Sequence, residues 1–389
     1  MRRCPGEGTR PERSLLADHG EPGHPVPPEG RRREMSTPAA SRTAAADPAL
    51  PALVLAPPSG ATSLLPGTPL LGLPLVRRTA LAARRAGFGE VFWDGGTPDE
   101  ELGAALDGTG VRVGTGSPEG AVRLPWNTVM TVATLVRLRE SGQVGAAPVV
   151  HALADLGKAE RFLLGSLVKE KDGFTARFIN RKISLFISRL LSPTRVTPNQ
   201  VTFVSLAIGL AAGLAFTSPR PAMQIAGALL FLAHAILDGC DGELARLKFL
   251  ESRWGGVVDF WGDNVVHSAV FAGIAVSWSR SVGAAWPLAL GALAVAGTLL
   301  SAGFVFHSTM RTAASRGGPL FRGVTKAPET TLSRMADHLA GRDFIYLVAI
   351  LAFFGKAHWF LVMAAVGAPV FFLVLLAIAR RGRLAEKAP

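Results

Sequence analysis

Long apolar segments follow one another through the second half of the chain, beginning just after Asn199. They lie at about 200–217, 222–238, 256–278, 284–306, 343–355 and 357–379. A helix of about 20 apolar residues crosses a bilayer, so the first four segments and the last are long enough to span one, or nearly so. The fifth is shorter, and a tilted or re-entrant segment is an alternative there. The pattern predicts an all-α membrane domain with six transmembrane helices over residues 194–385.

Basic residues are distributed unequally between the loops that join these segments. The alternate loops on one side contain only Arg220, Arg280 and Lys356 as basic residues, whereas the other loops and the C-terminal tail hold many more. Cytoplasmic loops are enriched in Lys and Arg, so we expect an integral protein of the inner (plasma) membrane with both termini in the cytoplasm. The net charge of +12 then reflects membrane topology, and no nucleic-acid partner is expected.

An amphipathic helix is predicted immediately before the first span, over residues 172–193. Apolar residues recur at helical spacing from Ile179 to Leu190, and most of the basic residues lie off this stripe. Such a helix lies on the cytoplasmic leaflet. Packing against another domain is the alternative.

The first part of the chain has a different composition. Residues 1–50 are rich in Pro, Gly, Ala and Arg without apolar periodicity, which predicts a disordered leader. Residues 51–165 contain a strand at Ala52–Ala56, then a helical stretch, then a strand at Glu90–Trp93. This order predicts a βαβ unit in a small Rossmann-like α/β domain on the cytoplasmic side. The chain has two cysteines, so no disulfide framework is expected.

Four aspartates lie where the second and third apolar segments meet, a place where ionised side chains are costly. Asp238 and Asp241 are three residues apart, and Asp259 and Asp263 are four residues apart. At these spacings the two members of each pair share one helix face. A short link joins the two helices, so all four carboxylates can converge, and they would then repel one another strongly. Hard divalent cations such as Mg²⁺, Mn²⁺ or Ca²⁺ relieve that repulsion, and two of them can clamp a diphosphate.

The residues around the first aspartate pair suit a phosphate ligand. Gly239 and Gly242 lack side chains where a bulky ligand would approach the backbone. Ala245 keeps that face small, and Arg246 offers a planar guanidinium to phosphate oxygens. The alternative is a salt-bridged helix pair without a ligand, but the nearby cations are too few to pair four buried aspartates.

This arrangement resembles the signature of the CDP-alcohol phosphotransferase family. The motif D-G-x-x-D-G-x-x-A-R, then eight residues, then G-x-x-x-D-x-x-x-D, runs here from Asp238 to Asp263 with no departure in spacing. The resemblance covers about residues 172–385. It implies six membrane helices, usually a homodimer, and a centre of two Mg²⁺ or Mn²⁺ ions. The implied metal ligands are Asp238, Asp241, Asp259 and Asp263, with Asp263 also the general base. The implied neighbours of the cytidine diphosphate are Gly239, Gly242, Ala245, Arg246 and Asn199.

The same resemblance implies a reaction. A substituted phosphate passes from a CDP-alcohol to a hydroxyl acceptor, which forms a phosphodiester and releases CMP. The segment "DGFTARFINRKISLFISRLLSPTRVTPNQVT" resembles the branch that makes inositol-phosphate diesters, so an inositol phosphate or another polyol phosphate is the expected acceptor. A phospholipid synthase that uses CDP-diacylglycerol is the alternative. A divalent-cation transporter is a remote one, because transport needs no nucleotide cradle.

In that branch a cytidylyltransferase domain precedes the membrane domain, which makes residues 51–165 informative. The family's loop carries a Gly-rich run that ends in a basic residue. Here the loop contains Pro57 and Pro58, which lack amide donors, and no Lys or Arg lies between Ala56 and Arg77. We therefore predict a degenerate, inactive nucleotidyltransferase-like domain. An active domain and an unrelated α/β scaffold are the alternatives.

The acceptor pocket is defined less well. An acceptor phosphate would need basic residues near the cytoplasmic mouth of the site. The candidates are Lys182, Arg195, Arg311 and Arg316, each of which topology also explains. The histidines in or near the spans have no ligand spacing and are predicted to serve packing: His234, His267 and His307.

Overall fold

The structure is a computed structural model that describes residues 51–113, 118–168, 180–316 and 344–385, without the side chains of 309–316 and 381–385. The predicted disordered leader and the first part of the predicted amphipathic helix, 172–179, lie outside the described residues. The described chain begins with an α/β part and continues as a bundle of long helices.

Four parallel strands form the sheet of the α/β part. Together with a separate two-stranded hairpin, the strands of this part are β1 (Leu53–Ala56), β2 (Pro69–Leu70), β3 (Leu73–Pro74), β4 (Val91–Trp93), β5 (Val111–Val113) and β6 (Val122–Pro125). The sheet order is β5-β4-β1-β6, and β2 pairs with β3 in a separate hairpin. The helices of this part are α1 (Leu75–Arg85), α2 (Glu100–Leu106), α3 (Val132–Ser141) and α4 (Leu156–Gly165).

The predicted strand–helix–strand unit is present in this sheet. Helix α1 lies between β1 and β4 in the chain, and the two strands pair in parallel with Leu53 opposite Val91. A parallel pair requires a crossover connection, which α1 supplies. Strand β1 is buried along its length because apolar side chains cover both of its faces.

Seven helices make up the second part of the described chain. They are α5 (Arg181–Leu191), α6 (Pro198–Phe216), α7 (Pro221–Lys248), α8 (Arg253–Val282), α9 (Trp286–Arg316), α10 (Phe344–Phe353) and α11 (Ala357–Ala385). Each of the six predicted apolar segments is helical. Helix α7 runs ten residues beyond its apolar segment, to Lys248, so the first aspartate pair lies inside a regular helix.

Four of these helices are long and apolar enough to cross a membrane. They are Pro198–Phe216, Pro221–Lys248, Trp286–Ser308 and Ala357–Arg380. Helix α8 is 30 residues long but carries Asp259 and Asp263, and α10 has only 10 residues within the described range. The chain is thus a membrane protein by the length and composition of its helices, whereas the full count of six crossings stays a prediction.

Small residues let the membrane helices approach closely. A Cβ added at Gly273 of α8 would lie 2.3 Å from the backbone oxygen of Gly213 in α6. Two large aromatic side chains, Phe216 and Phe231, are fully buried beside this contact region. Close backbone contact at glycine is a common basis of helix association in membranes, and here it joins α6 and α8.

The α/β part is joined to the end of α7 by a buried arginine. Arg78 of α1 is 3% exposed, and its guanidinium donates to the backbone oxygens of Leu247 at 2.9 Å, Leu70 at 2.8 Å and Leu71 at 3.2 Å. Burial lowers the pKa of Arg78 to about 10, so the side chain is still protonated at neutral pH. Leu247 itself packs in the hydrophobic core of the α/β part.

The residue that ends α7 strengthens this joint. Phe249 has a positive φ of 57° and caps the helix. The guanidinium of Arg85 lies 5.0 Å from the centre of its ring, and Arg85 also donates to the Phe249 carbonyl at 2.8 Å. The start of the link between α7 and α8 is therefore held by the α/β part.

Replacing Gly72 by Ala should loosen a second contact of the α/β part, at the end of α5. Gly72 has φ +78°, and an added Cβ would lie 2.3 Å from the Ser192 carbonyl oxygen. Gly96 is a matched control, because it has φ +83° with nothing within 4 Å. A left-handed conformation costs an L-residue about 1–2 kcal/mol. Both variants should show that loss, and Gly72→Ala a clearly larger one, in thermal unfolding of the detergent-solubilised protein. Equal midpoints for the two variants would show that the chain accommodates the added methyl group beside Ser192 without strain.

Candidate active site

Helices α7 and α8 bring three carboxylates together. Asp238 and Asp241 lie on one face near the end of α7, and the short link returns the chain so that Asp259 of α8 faces them. One carboxylate oxygen from each of the three residues lies within 4.8 Å of the others. Asp238 and Asp241 are only 7% and 5% exposed. Oxygen donors at this separation, largely withdrawn from water, fit Mg²⁺ or Mn²⁺.

Neighbouring groups fix the orientation of these carboxylates. The hydroxyl of Thr202 in α6 donates a hydrogen bond to the carboxylate of Asp241. Ser252 caps the first turn of α8 by accepting from the Gly255 amide at 2.9 Å, which sets where that helix begins. The positions of both helix ends are therefore determined by local hydrogen bonds as well as by packing.

Asp263 has a different environment from the other three aspartates. In the described part of the chain the three-carboxylate group does not extend to it. Its Oδ1 lies 3.6 Å from Nε2 of His234, and its side chain is 18% exposed. His234 is buried, and its Nδ1 lies 2.8 Å from the hydroxyl of Ser205. A histidine assigned to packing from its spacing thus lies beside the predicted base. Its position, four residues before Asp238 on the same helix face, is the signal that could have revealed it.

The motif glycines face two different neighbours. A Cβ at Gly242 would lie 3.5 Å from the guanidinium of Arg246, on the same face of α7. A Cβ at Gly239 would instead lie 3.6 Å from the Ser184 hydroxyl and 3.9 Å from Nη1 of Arg181, both in α5. Gly239 therefore faces α5, and its contact with the nucleotide stays a prediction.

The remaining predicted site residues are spread along the same end of the bundle. The side-chain oxygen of Asn199 would lie 3.3 Å from a Cβ at Gly255, which places it at the start of α8. Ala245 is half-buried on α7, and Lys182 and Arg195 are exposed. The side chains of Arg311 and Arg316 lie outside the described part of the chain. The acceptor role of these four basic residues stays a prediction.

Sequence reasoning missed a buried glutamate at a variable position of the motif. Glu243 is fully buried and accepts from Nη1 of Arg181 at 2.6 Å, from the Ser184 hydroxyl at 2.7 Å and from the Ser188 hydroxyl at 2.7 Å. Helix α5 thus packs on α7 through its polar side. Its apolar stripe is exposed, with Phe186 59% accessible, as expected of a helix that faces a bilayer.

An apolar cavity begins at the second aspartate pair. Its volume is about 580 Å³, and it extends between α8, α9, α10 and α11. Asp259, Asp263 and Asn264 lie in its lining together with many apolar side chains. These include Phe271, Val305, Phe344, Phe360 and Met363.

Residues 195–332 match the family described as CDP-alcohol phosphatidyltransferase. The match contains all nine fixed positions of the motif from Asp238 to Asp263. The chain contains a CDP-alcohol phosphatidyltransferase domain. The family resemblance stated from the sequence is thereby confirmed over this range.

The CDP-alcohol phosphatidyltransferase domain is similar to proteins of an inositol-related branch. The chain is 40% identical over 133 residues to the bifunctional IPC transferase and DIPP synthase of Archaeoglobus fulgidus, covering 34% of this chain and 26% of that protein. It is 35% identical over 189 residues to the protein of the same name from Rubrobacter xylanophilus, covering 46% and 42%. Similarity to the archaetidylinositol phosphate synthase of Pyrococcus horikoshii is 28% over 168 residues, covering 43% and 82%.

These alignments are partial. The chain spans about a quarter to two fifths of the length of the bifunctional relatives it matches. Among solved structures, the phosphatidylinositol phosphate synthase of Mycobacterium tuberculosis with CDP-DAG bound is 23% identical, with a TM-score of 0.34 and coverage of 49% of this chain and 92% of that one. The α/β part and helix α5 lie outside the matched CDP-alcohol phosphatidyltransferase domain.

Proposed function

We propose that this chain transfers a substituted phosphate group from a CDP-alcohol to the hydroxyl of an acceptor, with release of CMP. The observation that carries the proposal is the convergence of Asp238 and Asp241 of α7 with Asp259 of α8, with oxygens within 4.8 Å of one another. Gly242 and Arg246 lie beside this group on α7. The family match over residues 195–332 supports the same reaction.

The four aspartates have two tasks in this proposal. Asp238, Asp241 and Asp259 would hold two Mg²⁺ or Mn²⁺ ions, which when bound would neutralise the diphosphate and the charge of the transition state, and Asp263 would contribute to this metal site. Asp263 accepts the proton of the attacking hydroxyl, and His234 at 3.6 Å orients its carboxylate.

The bond changes are those of a single displacement. The acceptor oxygen forms a bond to the β-phosphorus of the donor while the bond from that phosphorus to the bridging oxygen breaks. The hydroxyl proton goes to Asp263, and the bridging oxygen leaves as part of CMP. Arg246 donates to the phosphate oxygens of this leaving group.

The proposed acceptor is an inositol phosphate or another polyol phosphate. The names of the similar proteins, including an archaetidylinositol phosphate synthase, support this choice. Lys182, Arg195, Arg311 and Arg316 are the proposed anion-binding residues of the acceptor side.

A lipid donor, CDP-diacylglycerol, is the second candidate. The apolar cavity favours it, because about 580 Å³ of space lined by aromatic and aliphatic side chains begins at Asp259 and Asp263. A soluble CDP-polyol would leave that cavity without an apolar occupant, whereas the acyl chains of a diacylglycerol esterified to the reacting phosphate would fill it.

We also propose that the α/β part is a degenerate nucleotidyltransferase-like domain without its own activity. Amides of its loop after β1 bond within this part of the chain. The Ser63 amide donates to the His151 carbonyl at 3.0 Å, and the Leu65 amide donates to the Thr68 hydroxyl at 3.1 Å. Pro57 and Pro58 have no amide hydrogen, so the loop offers fewer donors to a triphosphate.

The membrane arrangement follows from the loop charges. We propose six crossings, in which α8 and α10 are added to the four helices that are both long and apolar enough to span, with both termini in the cytoplasm. The carboxylate centre then faces the cytoplasm, where the nucleotide is dissolved. A homodimer is proposed by analogy with the family.

The proposal is tested by CMP release from purified full-length protein with Mg²⁺. One set of reactions supplies CDP-inositol and a second CDP-diacylglycerol, each with inositol 1-phosphate. We expect CMP from one donor and not the other, and the productive donor decides between the two candidates. A third set supplies CTP and inositol 1-phosphate, where pyrophosphate release would contradict the inactive α/β domain. No CMP in any set, together with Mn²⁺ uptake into proteoliposomes, would overturn the proposal in favour of transport.

A further inference from the structure

We infer that Arg181, in the helix before the first span, is a second arginine that binds the CMP portion of the donor, opposite Arg246. The inference rests on the proposed function. Arg181 lies outside the family motif and outside the matched range. Its role is suggested by where α5 places it and by what holds it there.

The position of Arg181 is set by a close contact between α5 and the motif helix. Its Nη1 lies 3.9 Å from the point that a Cβ of Gly239 would occupy. Gly242, one turn further along α7, has the Arg246 guanidinium 3.5 Å from the corresponding point. Two guanidinium groups therefore border the two side-chain-free positions that the nucleotide is expected to approach.

A buried carboxylate holds Arg181 in this position. Glu243 is fully buried, and its contact to Arg181 is 2.6 Å, while the Arg181 side chain keeps 13% of its surface exposed. Glu243 also accepts hydrogen bonds from the hydroxyls of Ser184 and Ser188, which fix the orientation of its carboxylate. A guanidinium carries five N–H donors in a planar fork and can serve this carboxylate and a phosphate together.

Two guanidinium groups lie close together at this point. Arg181 and Arg246 are close enough to repel each other, and Glu243 attracts both, while Glu251 and Asp241 also act on Arg246. A phosphate of the nucleotide between the two guanidinium groups would accept hydrogen bonds from both, at a site shielded from water, where such contacts are strong.

Lys182, the residue next to Arg181, is one of the anion-binding candidates predicted from the sequence. Lys182 is exposed, while Arg181 lies on the side of α5 that carries Ser184 and Ser188 toward α7. The two basic residues are adjacent in the chain and differ in direction by about 100° around the helix. Only the one that shares a face with the serines can reach Gly239.

The test measures CMP binding by calorimetry on the full-length protein with Mg²⁺. Arg181→Gln should weaken CMP affinity about ten- to hundred-fold, because a hydrogen bond between charged groups is lost. Arg181→Lys should recover part of that loss. Arg189→Gln is the matched control: Arg189 lies two turns further along α5, is 55% exposed and pairs with Glu160 at 2.7 Å. It should bind CMP as the unmodified protein does.

A purely structural role is separated by a second variant. Ser188→Ala removes one hydrogen bond to Glu243 without touching Arg181, so it should lower the unfolding midpoint and leave CMP affinity unchanged. If Arg181→Gln behaves like Ser188→Ala, with lower stability and normal CMP affinity, Arg181 only tethers α5 and the inference fails. If the unmodified protein binds no CMP, the proposed function itself is wrong.

Discussion

Replacing Asp263 by Asn should lower the rate of CMP release by about 10²–10⁴-fold at saturating Mg²⁺, because the variant lacks a proton acceptor. The structure separates Asp263 from the other aspartates. It lies outside the group of three carboxylates and has its Oδ1 3.6 Å from His234. Asp259 belongs to that group, so Asp259→Asn should act first on metal affinity.

The comparison of the two variants combines Mg²⁺ titration with single-turnover CMP release. Asp259→Asn should need a higher Mg²⁺ concentration and recover part of its rate when that concentration is reached. Asp263→Asn should stay slow at every concentration. Near-normal turnover of Asp263→Asn would show that the proton goes to another group, such as a phosphate oxygen, while the metal site could stand unchanged.

Removing divalent cations should abolish CMP release altogether. Three carboxylates within 4.8 Å of one another, two of them buried, would repel the donor's diphosphate if their charge were not neutralised. Loss of metal removes several kcal/mol of transition-state stabilisation. Addition of Mg²⁺ or Mn²⁺ after EDTA should restore the rate.

A binding measurement gives an independent reading of the same site. Mg²⁺ at 100 times its Kd should stabilise the fold by about 2.7 kcal/mol, seen as a higher unfolding midpoint. Asp238→Asn should reduce this rise, and Asp94→Asn, in an exposed ion pair with Arg123, should keep it.

In the EDTA experiment, full CMP release in excess chelator would eliminate the two-metal mechanism.

The helices and the carboxylate group could be predicted because both depend on short-range spacing. Apolar runs report helix positions directly, and all six segments are helical. Asp238 and Asp241 share a face through helical periodicity alone. The link to Asp259 is so short that the two helix ends must be neighbours. The same reasoning located β1, α1 and β4, since a parallel pair joined by a helix follows from their order.

The contacts between distant parts of the chain could not be predicted in this way. Glu243 occupies a variable motif position, and its partners Arg181 and Ser188 come from more than fifty residues earlier. Periodicity identifies which face a residue is on but not which element will cover it. The pattern predicted an amphipathic helix on the leaflet and did not show that the polar side of α5 packs on α7.

The buried joint at Arg78 makes the end of α7 depend on the α/β part. Composition places the border between the two parts near residue 170, but Leu247 of α7 lies in the core of the α/β part. Loss of that part would leave Leu247 without its packing and the end of α7 without the donors of Arg78. The α/β fold therefore supports the end of α7 whatever the chemistry of its loop. A chain without these residues would need other groups to cover Leu247 and its backbone oxygen.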